Sequence, residues 1–193
     1  ASPEYRTSNG GIWQPGDVIQ AAIGQSDNAF TPLQLATYCA TIANNGTRLK
    51  THLVKQVTNY NRDQVISETE PEVVAQVDIS EENLKTVQEA MKGVTQSGGT
   101  ANSVFGDYGI TIAAKTGTAE NPGHSDNVTF IAYAPYDDPE IAVAVVLEYG
   151  SRGTYSMNVA KDIFDAYFYG KTVDENGNLV MPEETNSSST ANE

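Results

Sequence analysis

Apolar residues recur with a helical period in three stretches of this chain and with a strand period between the last two. Leu35, Cys39 and Ile42 stand at i, i+4 and i+7, which lays one apolar stripe along a helix. Thr31 is placed to cap its start, Pro32 sits where a missing N–H costs nothing, and Gly46 suits a left-handed C-cap. A second stripe, Leu84, Val87, Met91 and Val94, follows Ser80 as N-cap and ends at Ser97-Gly98-Gly99. Glu81 and Glu82 there oppose the positive end of the helix dipole. A third stripe, from Val159 and Ala160 to Tyr167 and Phe168, takes Ser156 as its cap and stops at Gly170.

Between the second and third stripes the period is that of a sheet. Ile110–Lys115, Val128–Ala134 and Ile141–Leu147 read as strands, the last two joined by the hairpin loop Pro135–Pro139. The seven consecutive apolar residues of Ile141–Leu147 predict burial on both faces, with helices packed on the sheet. Residues 47–66 read as one or two short strands around a turn at Asn59–Asp63. Residues 1–12 are polar and read as a flexible lead-in. Residues 171–193, rich in Glu, Ser, Thr and Asn, read as a disordered acidic tail. That leaves 13–170 as the folded unit, an α+β domain with an antiparallel sheet and packed helices.

Charge narrows the function classes. Lys plus Arg total 11 against 25 Asp plus Glu, a formal net charge of −14 in 193 residues. Nucleic-acid binding needs clustered cations on phosphates, and docking on an anionic membrane surface needs the same, so both are disfavoured. The longest apolar run is far short of the roughly 20 residues of a membrane span, and the chain reads as soluble. Cys39 is the one cysteine, which excludes an internal disulfide. With His52 and His124 the only histidines, zinc-type spacing is absent and no metal site is expected.

One segment carries chemistry: Lys115-Thr116-Gly117-Thr118, placed at the end of a predicted strand. A strand-borne Lys-[Ser/Thr]-Gly belongs to the active-site set of penicillin-interacting serine enzymes. The triplet alone is weak, since it arises by chance in about one chain in twenty of this length. Its spacing nonetheless suits a peptide carboxylate. Gly117 lets an extended peptide lie close to the strand edge, and the two threonines supply hydroxyl donors. Lys115 supplies a positive charge, and the Thr118 backbone N–H suits an oxyanion hole. Pleating sends Lys115 and Thr116 to opposite faces, so period alone does not bring them together.

Further blocks in order give the triplet its context. They are Trp13–Asp17 (WQPGD), Ile23–Gln25 (IGQ), Thr31–Ala36 (TPLQLA), Ile42–Gly46 (IANNG), Gly99–Ala101 (GTA), Lys115–Ala119 (KTGTA) and Ala132–Pro135 (AYAP). From Trp13 to Gly170 the chain resembles the C-terminal part of the transpeptidase domain of penicillin-binding proteins, most closely the class B, elongation type. The resemblance implies the β-lactamase/transpeptidase-like fold, in incomplete form. It also implies that Thr116 and Thr118 contact the acyl-donor carboxylate while the amide after Gly117 helps build the oxyanion hole. The implied partners are the D-Ala-D-Ala stem peptide of peptidoglycan, β-lactam antibiotics and other proteins of cell-wall elongation, and no metal or organic cofactor is implied. The implied location is the outer face of the cytoplasmic membrane, on an anchor that this chain does not contain.

Two family elements are missing. No serine has Lys three positions on, so the Ser-x-x-Lys nucleophile is absent and the chain alone is expected to be inactive. Ser26-Asp27-Asn28, Ser125-Asp126-Asn127 and Ser156-Met157-Asn158 have the family's Ser-x-Asn form but lie at or after the IGQ block, whereas the family's lies upstream of it. They read as coincidences. His124-Ser125-Asp126 holds triad residue types, yet loop neighbours point apart. His52 falls in a strand-like stretch, Cys39 reads as a buried structural thiol, and Glu120 as a solvated carboxylate near Lys115. A β-lactamase or carboxypeptidase relative and a non-catalytic β-lactam-sensing module stay open as alternatives. Without the strands that complete such a sheet, Ile141–Leu147 is expected to present an open edge that invites self-association or takes a cover from the lead-in or tail.

Overall fold

The computed structural model describes residues 1–181, and its architecture is α+β. Helices α1 (Pro3–Ser8), α2 (Pro15–Ala22) and α3 (Pro32–Ala43) come first. Four short strands follow: β1 (Thr47–Leu49), β2 (Gln56–Thr58), β3 (Val65–Glu68) and β4 (Val73–Gln76). They pair antiparallel as β1 with β4 and β2 with β3. Helix α4 (Glu81–Gly93) and the single turn α5 (Asn102–Phe105) lead to the main sheet, β5 (Ala113–Ala119), β6 (Asn127–Ala134) and β7 (Ile141–Leu147). Helix α6 (Gly153–Tyr169) and a two-stranded ladder, β8 (Thr172–Val173) with β9 (Leu179–Val180), close the described chain.

The main sheet is antiparallel in the order β5-β6-β7, and its period-2 alternation sorts side chains into two cores. Ala114, Phe130, Ala132, Val143 and Val145 pack with Phe105 of α5 and with Met157, Ala160 and Phe164 of α6. Ala113, Ile131 and Tyr133 pack on the other face with Cys39 and Ile42 of α3 and with Leu84 and Met91 of α4. The apolar run of β7 is explained by this sandwiching, since Ala142 and Ala144 meet the α3 side while Val143 and Val145 meet the α6 side. Burial pushes the Cys39 thiol up to about 12, which makes it an inert packing group. Among the described residues the outer edge of β7 has no strand partner.

Several elements differ from the sequence expectation. The lead-in holds a helix, because Ser2 accepts the Tyr5 N–H at 3.2 Å and Pro3 takes the first helical position. α2 forms by the same logic, with Pro15 at its start and the Gln14 N–H donating to Asp17 at 2.7 Å. Arg6 fastens the two together: its guanidinium bonds Asp27 at 2.6 Å, Ser26 at 2.7 Å and Asp17 at 3.1 Å. The Arg6 hydrogen bond holds the Asp27 carboxyl below its usual range. Ser156 is not the cap of α6. The helix begins three residues earlier, and Ser156 lies buried within it, donating to the Gly153 carbonyl at 2.8 Å. β8 and β9 occupy part of the segment read as disordered, and residues 182–193 of that segment lie outside the described residues.

One buried charge ties α6 to the rest. Asp165 is 2% exposed and accepts from Tyr108 Oη, Lys161 Nζ and Lys171 Nζ, each at 2.8 Å. Burial alone raises a carboxyl, but the two ammonium groups and the phenol outweigh it, and the Asp165 pKa is lowered. Asp165→Asn should therefore destabilise the fold by about 2 kcal/mol at neutral pH, read from denaturant midpoints. Because the folded pKa is depressed, this stability is fully present above the unfolded carboxyl pKa of about 4 and fades as pH falls through the lower folded value. The gap between wild type and Asp165→Asn should narrow over that acid range.

Candidate active site

β5 is an edge strand, and the residues singled out by the sequence lie within it. The strand runs on through Gly117 and Thr118 to Ala119, because Gly117 pairs with Thr129, Thr118 with Val128 and Ala119 with Asn127. It begins at Ala113 rather than Ile110, so the segment expected at a strand end sits inside the ladder. Lys115 and Thr118 are exposed, while Thr116 and Gly117 are half-buried.

The direction of the backbone groups follows from their partners. Lys115 Nζ donates to the Thr116 carbonyl at 2.6 Å, and Gln25 Nε2 reaches the Thr118 carbonyl at 3.5 Å. Both carbonyls therefore point away from β6, and in an antiparallel strand the N–H of the same residue points with its carbonyl. The Thr116 and Thr118 N–H groups thus line the open edge, where an extended chain adds a strand or an oxyanion finds donors.

The pleat obstacle is resolved by side-chain length. Lys115 leaves the strand on the α3/α4 face, in step with Ala113, and its side chain curls to the edge to reach the Thr116 carbonyl. Thr116 and Thr118 leave on the opposite face, in step with Ala114. Thr100 joins them, its Oγ1 3.2 Å from Thr116 Oγ1. Sequence reading did not single out Thr100 as a site residue, although the GTA block contains it. One cation, two edge amides and three hydroxyls converge on one strand edge, a donor set suited to a carboxylate and an acyl oxygen.

Gly117 has room for a side chain among the described residues. A Cβ there would meet Thr129 Cβ at 3.5 Å, an ordinary contact. No positive φ demands glycine either.

The other candidates are placed apart from this edge. Glu120 follows β5, and no carboxylate lies within 4 Å of Lys115 among the described residues. His124 is exposed in the β5–β6 loop with its ring 5.1 Å from that of Tyr149, and among the described residues no hydrogen bond joins it to Ser125 or Asp126. His52 lies in an exposed loop between β1 and β2, not in a strand. Ser26 and Asp27 are bound to Arg6, and Asn28 donates to the Ala21 and Gln25 carbonyls, which gives that Ser-x-Asn a structural role. Among the described residues no group of three or more His, Cys, Asp or Glu is arranged to hold a metal, and no helix is long and apolar enough to cross a membrane. Two grooves, of about 750 and 580 Å³, flank α3 and β1 rather than β5.

Comparison with known proteins covers the site and most of the chain. Residues 3–168 match the penicillin binding protein transpeptidase domain. Penicillin-binding protein 2A of Bacillus subtilis is 37% identical, over 79% of this chain and 24% of that protein. The peptidoglycan D,D-transpeptidase MrdA of Haemophilus influenzae is 30% identical, over 80% of this chain and 26% of that protein. A crystal structure of Pseudomonas aeruginosa PBP2 in complex with WCK 5153 superposes with a TM-score of 0.70 and 33% identity, over 93% of this chain and 38% of that one. The chain spans about a quarter of the length of the curated relatives it matches. With its edge strand, its ordered blocks and this match in hand, the chain belongs to the penicillin-binding protein transpeptidase domain family, and its relatives are of class B.

Proposed function

We propose that this chain forms the acyl-donor wall of a serine D,D-transpeptidase that cross-links peptidoglycan and is acylated by β-lactams, acting outside the cytoplasmic membrane. The observation that carries the reading is the open β5 edge, which gathers Lys115, the Thr116 and Thr118 hydroxyls and the Thr118 N–H. In the reaction a serine oxygen attacks the penultimate D-alanyl carbonyl of a stem peptide. The C–N bond breaks, D-alanine departs with a proton on its nitrogen, and an amine of a neighbouring stem displaces the serine from the acyl-enzyme. Thr116, Thr118 and Lys115 hold the terminal carboxylate of the donor, and the Thr118 N–H stabilises the oxyanion. The serine belongs to polypeptide outside these 193 residues, none of whose serines has Lys three positions on. Residues 13–170 are the working unit, with α1 buttressing it through Arg6.

The chain by itself should take no covalent label from a fluorescent penicillin. Transplanted in place of the matching segment of Bacillus subtilis penicillin-binding protein 2A, it should restore labelling, and Lys115→Ala should slow acylation about 10²-fold. Labelling of the isolated chain, or a dead transplant that folds, overturns the reading. Product analysis with an added amine separates transfer from hydrolysis.

Gly117→Ala should leave stability within about 1 kcal/mol by thermal unfolding, given the room for a Cβ. In the transplant it should slow acylation about tenfold or more, since a methyl group shifts the donor at the strand.

The second open edge supports a proposal of its own. β7 pairs with β6 only, and its outer edge is a template for another strand. Sedimentation velocity of the isolated chain should show concentration-dependent association. A strict monomer with that edge uncovered counts against it.

A further inference from the structure

Thr100 sits beside the β5 edge on a tightly determined turn. The turn that carries it admits little else: Gly98 has a φ of +84°, and a Cβ on Gly99 would collide with the carbonyls of Val94 and Gly93. The Ala101 N–H donates to the Val94 carbonyl at 2.9 Å, and Ala101 is fully buried in the α5/α6 core. Buried Thr95, at the head of the same turn, donates to the Ile112 carbonyl at 2.7 Å, one residue before β5 begins. The turn and the strand are thus tied at Ile112, and four residues along β5 the Thr100 hydroxyl meets the Thr116 hydroxyl at 3.2 Å.

A hydroxyl has one proton and two acceptor sites. If Thr116 spends its proton on Thr100, it presents only lone pairs to an anion and repels it. If Thr100 donates, the Thr116 proton is left for the anion. We propose that Thr100 is a positioning residue for acyl-donor recognition: its O–H donates to Thr116 Oγ1 and so commits the Thr116 proton to the donor carboxylate. This rests on the reading of β5 as the donor wall, and it adds a residue whose action runs through Thr116 alone.

The test uses the whole chain transplanted into Bacillus subtilis penicillin-binding protein 2A, with second-order acylation by benzylpenicillin and by its methyl ester as readouts. Thr100→Val keeps the shape and removes the hydroxyl. It should slow acylation by the acid about five- to tenfold, the worth of one hydrogen bond to a charged group's recognition, through weaker binding rather than a slower chemical step. The ester, which lacks the anion, should be slowed at most about half as much on a logarithmic scale, and Thr100→Ser should restore the acid rate to within about twofold. Equal slowing of acid and ester, failure of Thr100→Ser to rescue, or an unchanged acid rate in Thr100→Val each overturns the proposal. Thr100 is exposed, so the variants should fold, and Thr100→Ala repeats the test if Thr100→Val does not. A transplant with native Thr100 that folds and fails to acylate refutes the donor-wall reading instead.

Discussion

The pairing of β5 with β6 is the constraint on which everything else in this molecule depends. Seven consecutive residue pairs, from Ala113 with Tyr133 to Ala119 with Asn127, consume one side of β5 and leave the other side facing outward. Strand geometry then places Lys115, Thr116 and Thr118 without further instruction, because alternation fixes the faces and the ladder fixes which amides are spent. β6 holds this position because it is itself clamped between two cores. Phe130 and Ala132 are fully buried on the α6 side, and Tyr133 is 1% exposed on the α3 side. A one-residue slip of β5 would exchange the two threonine hydroxyls for the lysine stem, so site and core are set by the same register.

Much of this was legible in the sequence, and the legible parts share a cause. α3, α4 and the strands β6 and β7 carry strong apolar periods because each buries a face against the sheet, and burial leaves a pattern. Cys39 on the α3 stripe is such a case. α1 and α2 bury no residue, so no stripe announces them. They are held by caps and by Arg6, whose partners Asp17, Ser26 and Asp27 are up to 21 positions away, where a linear reading sees only polar residues.

The site was legible as a motif and illegible as a geometry. Lys115-Thr116-Gly117-Thr118 marks a place, but alternation alone puts the lysine on the wrong side of the strand. What reunites it with the threonines is the reach of a four-carbon stem over an unpaired edge, which depends on β5 being outermost. Strand order is not written in local sequence. Thr100 was harder still: it lies 16 positions from Thr116, and the Thr95–Ile112 link and the packing of Ala101 with Ala114 bring the two together.

The proposed donor site for a carboxylate lies on a chain of net charge −14. Net charge governs long-range steering, and at physiological ionic strength it is screened beyond about 8 Å. At contact distance the described edge offers Lys115, which has no carboxylate within 4 Å among the described residues, beside neutral hydroxyls and amides. A single cation reinforced by oriented neutral donors holds one carboxylate without holding polyanions, because a phosphate backbone needs a row of cations that this surface lacks. On the proposed donor-wall reading, the acidic exterior disfavours nucleic acids and anionic membrane surfaces, while a short peptide with one terminal carboxylate is governed at contact by the local groups.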